Sequence, residues 1–303
     1  MERYKKQVVL LLNVIPEVER EACLALHGGT AINLFVRDMP RLSVDLDLTY
    51  IPIEDRTKSF ENINLALGNI KDRIETHIPN TKVKHQKGLL KLQVANAEAQ
   101  IKVEVNQGMR GVIGKIEKRA LCLQAQEQFD VFCRINVINL GQLYGGKIVA
   151  ALDRQHPRDL FDVKYALENE GFTEEIKTGF IFALLCSKRP IVELLFPNFI
   201  DQSQTFVNQF EGMTFLPFTY KDFENVRLML LSLIHKNITE TDKDFIIQFE
   251  NVTPNWKFYD FKNYPAVQWK LNNLAKLKQN NPLKHQAAVS LLKDKLSQGD
   301  SFL

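Results

Sequence analysis

Asp45 and Asp47 are the residues whose type and spacing point most directly to chemistry. They lie in Arg41-Leu42-Ser43-Val44-Asp45-Leu46-Asp47-Leu48-Thr49, a run that alternates without a break. Leu42, Val44, Leu46 and Leu48 share one face, and Arg41, Ser43, Asp45, Asp47 and Thr49 share the other. That period of two is the pattern of a half-buried strand. The two carboxylates then stand about 6.5–7 Å apart along the backbone on one face. Like charges so placed repel, and a hard divalent cation bound through oxygen is the commonest reason for a fold to keep them together. Without a cation they would be ordinary solvated strand residues.

Two further segments add to this pair. Leu24-Ala25-Leu26-His27-Gly28-Gly29-Thr30, followed by Ala31-Ile32-Asn33-Leu34-Phe35, reads as a short apolar strand, a Gly-Gly turn and a short helix. Glycines in such a turn let backbone N–H groups come close to a phosphate, although a plain helix stop would use the same residues. His27 reads as a packed or hydrogen-bonded residue. In Gln100–Asn106 the apolar Ile101, Val103 and Val105 alternate with Lys102, Glu104 and Asn106. Glu104 therefore offers a third carboxylate on a strand able to neighbour the first. In the second half, Lys147 and Arg154 are seven apart on one helical face. Arg158 and Asp162, four apart, read as an intrahelical ion pair.

The elements that must position these residues follow from the same patterns. Residues 3–13 read as a short helix, with Pro16 opening a second segment. Residues 57–76 carry Phe60, Ile63, Leu67, Ile70 and Ile74 at helical spacing, the face of a helix that covers a sheet. Strands are expected at 81–84, 89–94, 100–106 and 129–137, with a hairpin connection at Asn96-Ala97-Glu98. From about residue 139 the texture turns helical: 139–153, a helix opened by Pro157, then 173–186, 221–236, 241–250, 265–278 and 282–297. Trp269 reads as a core anchor. Lys270, Lys276, Lys278, Lys284, Lys293 and Lys295 read as a solvated face.

The chain as a whole sets bounds. Its 303 residues suffice for about two domains and a full core. With 45% hydrophobic and 25% charged residues and a formal charge of +3, it resembles ordinary soluble proteins and carries no overall nucleic-acid signature. Cys23, Cys122, Cys133 and Cys186 have no metal-ligand spacing and read as reduced thiols of a cytoplasmic protein. Lys5-Lys6 before Val8–Leu12 imitates a signal peptide, but Asn13 interrupts the run and no small-residue cleavage site follows. No run approaches the roughly 20 apolar residues of a membrane span.

Leu26–Gly29, Asp45-Leu46-Asp47 and Val103-Glu104-Val105 together resemble the nucleotidyltransferase superfamily that includes DNA polymerase beta and the tRNA CCA-adding enzymes. A narrower resemblance is to the AbiEii family of abortive-infection toxins. It rests on His27–Leu34 and Arg41–Leu48, on Lys147–Arg154 with Arg158-Asp159-Leu160-Phe161-Asp162, and on Tyr264–Leu271.

This resemblance implies an α+β protein. Residues 1–138 would be a nucleotidyltransferase domain with a mixed β-sheet flanked by helices, and 139–303 an all-helical domain completing the nucleotide and acceptor site. It implies transfer of a nucleoside monophosphate from a nucleoside triphosphate to a hydroxyl. Asp45, Asp47 and Glu104 would hold two Mg²⁺ (or Mn²⁺) ions. Gly28, Gly29 and Thr30 would grip the phosphates, Arg41 and Ser43 would steady triphosphate or aspartates, and Lys147, with Arg154 on its face, would bring a cation to the nucleotide. Asp159 would orient Lys147 or touch the nucleotide. The 3′ end of tRNA is an implied acceptor, and an antitoxin encoded next door is an implied partner. A small-molecule or protein acceptor, and a nucleotide- or partner-binding module without catalysis, are readings that the same residues leave open.

Overall fold

A computed structural model describes residues 2–298. They divide into two compact units: one through Leu143 together with Val207–Phe218, the other over Tyr144–Phe206 and from Thr219 onward. No helix among the described residues is long and apolar enough to cross a membrane.

The first unit begins with α1 (Glu2–Glu19), β1 (Leu24–His27) and α2 (Gly28–Thr30), which runs on as a π-helix over Ala31–Val36. Then come β2 (Asp45–Tyr50), α3 (Arg56–His77), β3 (Lys82–Gln86), β4 (Lys91–Ala95) and β5 (Gln100–Val105). β6 (Glu117–Ala120), α4 (Leu123–Phe129) and β7 (Arg134–Val137) complete it. The strands form one mixed sheet ordered β3-β4-β5-β2-β1-β7-β6. β2 runs parallel to β5, and β1 parallel to β7. Alternation decides the faces: Leu46, Leu48, Ile101, Val103 and Val105 are buried at 0–1% exposure. α3 covers the sheet with Ile63, Leu67, Ile70 and Ile74, each fully buried. Asp55 caps its start by accepting from Lys58 N at 3.0 Å.

Several expectations need correction. α1 is one helix that runs through Pro16, whose ring lies on the exposed side of the helix. β2 begins at Asp45 rather than Arg41. Arg41 instead bridges Thr214, and Leu42 N donates to Met213 O at 2.9 Å, so the returning segment 207–218 takes the pairing there. Of residues 129–137 only Arg134–Val137 is strand, since α4 ends at Asp130 in the left-handed region, φ 48°. β6 escapes a pattern search because its sequence, Glu-Lys-Arg-Ala, is a mostly exposed edge without apolar alternation.

The second unit is helical. α5 (Leu140–Arg154) leads into it, followed by α6 (Pro157–Asn169), α7 (Glu174–Cys186) and the short α8 (Ile191–Leu195) and α9 (Ser203–Gln209). α10 (Tyr220–Asn237), α11 (Glu240–Glu250), α12 (Pro265–Asn280) and α13 (Pro282–Ser297) follow. Thr219 with Asp222, and Thr239 with Asp242, form capping boxes that start α10 and α11. α7 is buried almost throughout, and Phe182 meets Phe261 and Tyr264 edge-on at 5.1 and 4.8 Å. Trp269 is half exposed and anchors nothing; its neighbour Lys270 is the buried residue, at 6% exposure. Lys270 Nζ donates to Leu184 O at 3.1 Å and Arg189 O at 3.0 Å, the first a carbonyl in the last turn of α7 that also accepts from Ser187 N at 3.3 Å. Burial pushes its ammonium down to about 8, with Glu250 acting against that shift.

α5 and α7 pack at glycine contact distance. A Cβ on Gly145 would lie 2.1 Å from the carbonyl carbon of Gly179 and 2.2 Å from Phe180 N. Backbone on both sides cannot give way as a side chain can. Gly145→Ala is therefore expected to lower stability by about 3 kcal/mol, the upper range of overpacking, read as an earlier urea midpoint with an unchanged slope.

Candidate active site

The turn between β1 and α2 places its residues by a short chain of contacts. His27 ends β1 in extended backbone, and Gly28 takes φ +74°, which a side-chain-bearing residue rarely adopts. A Cβ on Gly28 would sit 2.7 Å from Oδ2 of Asp47. One on Gly29 would sit 2.7 Å from Nη2 of Arg41 and 3.1 Å from Oγ of Ser43. The two glycines thus leave a cradle that Asp47, Arg41 and Ser43 close from the β2 side. Thr30, fully buried, donates from Oγ1 to the carbonyl oxygen of Asp45 at 2.5 Å and lies 3.0 Å from Ser43 Oγ. Its hydroxyl ties the turn to β2, which differs from the phosphate contact expected of it. Asn33 Nδ2 donates back to Gly29 O at 2.9 Å and fixes the far side of the turn. Arg41, 3% exposed, donates from Nη1 to Leu42 O at 2.9 Å.

Sheet register brings the third acid alongside. On parallel β2 and β5, Asp45 is opposite Lys102 and Asp47 opposite Glu104. Neighbouring strands lie about 4.8 Å apart, and opposite residues share a face, so Asp45, Asp47 and Glu104 stand together on the side away from Leu46 and Val103. His27 is the antiparallel partner of Asp47 across β1. Glu104 is held by Lys91, Nζ to Oε2 2.8 Å. As placed, no three His, Cys, Asp or Glu side chains among the described residues group closely enough to hold a metal ion. The donor chemistry still suits a hard cation: three carboxylates on one face of two adjoining strands, beside a cradle without Cβ atoms. Glu104 would have to exchange Lys91 for that cation.

The residues expected from the second half form a cluster of their own in the helical unit. Lys147 Nζ, on α5, lies 3.1 Å from Asp159 Oδ1 and 3.0 Å from Asp162 Oδ2, both on α6. Arg154 Nη2 reaches Asp159 Oδ2 at 2.8 Å. Lys147, Asp159 and Asp162 are at most 8% exposed, while the Arg154 side chain is 62% exposed. Two cations and two anions balance, so the charge of Lys147 is matched internally, and Arg154 is the member that meets solvent. Burial alone would push the Asp159 carboxyl up; the Lys147 and Arg154 charges outweigh it and hold it below the usual carboxylate range. Asp162 was missed as a member because its spacing from Arg158 offered a local partner. Its signal was its position three residues after Asp159, on the same helical face. His156 caps α6, its Nδ1 accepting from Arg158 N at 3.1 Å.

Comparison with known proteins agrees with this architecture. The family model for "Nucleotidyl transferase AbiEii toxin, Type IV TA system" matches residues 9–273. Among solved structures, MenT4, a nucleotidyltransferase toxin from Mycobacterium tuberculosis H37Rv, superposes with a TM-score of 0.64 at 13% identity, covering 90% of this chain and 93% of that one. That likeness is one of fold. No curated protein matches the chain.

The buried quartet has a measurable signature. Asp159→Asn would leave Lys147 and Arg154 short of one carboxylate and is expected to cost about 3–5 kcal/mol at neutral pH. Because the folded-state pKa of Asp159 is depressed, its contribution is present above about pH 4, the unfolded value, and fades as pH falls through the folded value. Urea unfolding of wild type and variant should accordingly converge in acid; a constant gap across pH would contradict the assignment.

Proposed function

The chain belongs to the AbiEii family of nucleotidyltransferase toxins of type IV toxin–antitoxin systems, and we propose that its acid-bearing sheet face transfers a nucleoside monophosphate from a nucleoside triphosphate to an acceptor hydroxyl. The observation that carries this reading is the register of Asp47 with Glu104, beside a Gly28 whose missing Cβ leaves room for the Asp47 carboxylate. Asp45, Asp47 and Glu104 would hold Mg²⁺, or Mn²⁺ in its place, which supplies positive charge to the phosphate and reacting oxygens.

The chain's own groups do the rest. Backbone N–H groups at Gly28 and Gly29 bind the outer phosphates, where side chains would stand in the way. Arg41, buried against Gly29, keeps the turn and Ser43 in place and adds positive field to it. Glu104, once released from Lys91, takes the acceptor hydroxyl proton as the oxygen bonds the alpha phosphorus and pyrophosphate leaves. In the helical unit, Asp159 and Asp162 fix Lys147, and Arg154 is the exposed cation of the cluster. The reading implies a cytoplasmic protein, with RNA as the first acceptor to test, the 3′ end of tRNA above all. The antitoxin implied by the family is its partner in the cell.

Incubation with each labelled nucleoside triphosphate, Mg²⁺ and total RNA tests this directly. Wild type is expected to leave label on an acceptor with one preferred nucleotide. Asp47→Asn should lower the rate about 100-fold or more, the scale of lost transition-state charge stabilisation, with an unaltered circular-dichroism spectrum. Absence of label on RNA, protein or small molecules with all four nucleotides would overturn the proposal.

A further inference from the structure

The polar face of β3, β4 and β5 is open, and its charge is one-sided. His85 of β3 faces α3, where its Nε2 lies 3.0 Å from Asn64 Oδ1. Lys82, Lys84 and Gln86 therefore point the other way, and both lysines are exposed. Register carries that face to the acids. Gln86 is opposite Lys91, Lys91 opposite Glu104, and Glu104 opposite Asp47. Two residues along, Lys84 is opposite Gln93, Gln93 opposite Lys102, and Lys102 opposite Asp45. Beyond them stand Lys82, Ala95 and Gln100. Across three strands the rows hold lysines, glutamines and an alanine, with Glu104 as their one acid.

Protection of the sheet edge explains part of this pattern. β3 is an edge strand, and lysines there discourage pairing with another chain. It does not explain Lys102, which is on β5, between β4 and β2. Lys82, Lys84 and Lys102 form no ion pair among the described residues. Lys102 makes none although its strand lies about 4.8 Å from that of Asp45.

The two sides of β2 have different neighbours. β1 and the cradle at Gly28 and Gly29 lie on one side, and β5 with Glu104 lies on the other. A triphosphate in the cradle leaves the β5 side to the acceptor whose hydroxyl Glu104 must reach. An acceptor chain that continues away from the cradle passes over β5, β4 and β3. It meets Lys102, Lys91 and Lys84 within three strand spacings, about 14 Å. Lys91, now 2.8 Å from Glu104 Oε2, comes free when Glu104 turns to its cation.

We propose that the lysine face of β3, β4 and β5 is the track on which the sugar–phosphate backbone of a single-stranded RNA acceptor docks, with its 3′ end at Asp45, Asp47 and Glu104. Ammonium groups and side-chain amides are common partners of phosphate and sugar oxygens, and such contacts position a strand without reading its sequence. The rows carry no aromatic ring on which a base could stack. The track therefore takes RNA by charge and adds nothing to sequence choice. The direction of the RNA rests on the transfer reading; the binding itself does not.

Fluorescence anisotropy with a labelled oligoribonucleotide, without nucleoside triphosphate or Mg²⁺, tests the track. Wild-type affinity should fall as salt rises. Lys84→Gln combined with Lys102→Gln should weaken binding about 10-fold or more, and flatten the slope of log affinity against log salt by about 1.4, two lysines' worth. Its unfolding midpoint should not move, since both side chains are exposed. Lys276→Gln combined with Lys293→Gln removes the same charge from exposed positions on α12 and α13 and should leave binding unchanged. In the transfer assay the Lys84, Lys102 variant should raise KM for the oligoribonucleotide and keep kcat. Asp47→Asn should bind at least as well as wild type while losing transfer, so docking and chemistry read out separately. Binding with these properties but no transfer to any acceptor would overturn the chemistry and support the track. Transfer to a protein or small molecule with no binding of the oligoribonucleotide would overturn the track and leave the chemistry. Undiminished binding in the Lys84, Lys102 variant, or an equal loss in the Lys276, Lys293 variant, would also overturn the track.

Discussion

The close approach of the β1–α2 turn to β2 is the constraint on which the rest of the acid face depends. Thr30 reaches the carbonyl of Asp45, and Asp47 Oδ2 occupies the space a Cβ on Gly28 would need. Once that contact is made, the pleat of β2 puts both aspartates on one side, and parallel pairing with β5 brings Glu104 opposite Asp47. The placement of three carboxylates therefore follows from a backbone contact and a sheet register. This explains how a face so acidic can be kept open: the energy that fixes it comes from the buried layer beneath, Leu46, Leu48, Val103 and Val105.

The helical unit solves a different problem. Lys147, Asp159 and Asp162 are buried charges, and burial would expel each of them singly. Matched as two cations and two anions with Arg154, they hold α5 to α6 in a single rotation about their axes, because a shift of one residue would leave a charge unpaired. Lys270 does the analogous work at the end of α7, with carbonyl oxygens in place of carboxylates. Both cases use a polar anchor in an otherwise apolar interior to define one packing among several that hydrophobic contact alone would permit.

What could be read from the sequence is what has a short period. The β2 acids, the alternation in β5, the α3 face and most helices of the second half announce themselves in two to four residues of spacing. The long-range partners do not. Nothing near Arg41 shows that residues 207–218 return to pair with it, so the strand was expected to begin too early. Trp269 was expected inside and Lys270 outside, because residue type is a weaker guide than helix rotation when a lysine can bond helix-end carbonyls. Asp162 went to the wrong partner for the same reason: the nearer candidate in sequence was the farther one in the fold.

The returning segment also bears on how the polypeptide matures during synthesis. The first unit needs Val207–Phe218, which reaches the exit of the ribosome about 75 residues after Leu143. At about 5–20 residues per second the wait is on the order of 4–15 s. During that interval the stretch from Pro40 to Leu42 lacks the backbone partners supplied by Met213 and Phe215. A nascent chain halted between those points would therefore expose unpaired amide groups next to its acids, and a chaperone or a protease would meet it in that state.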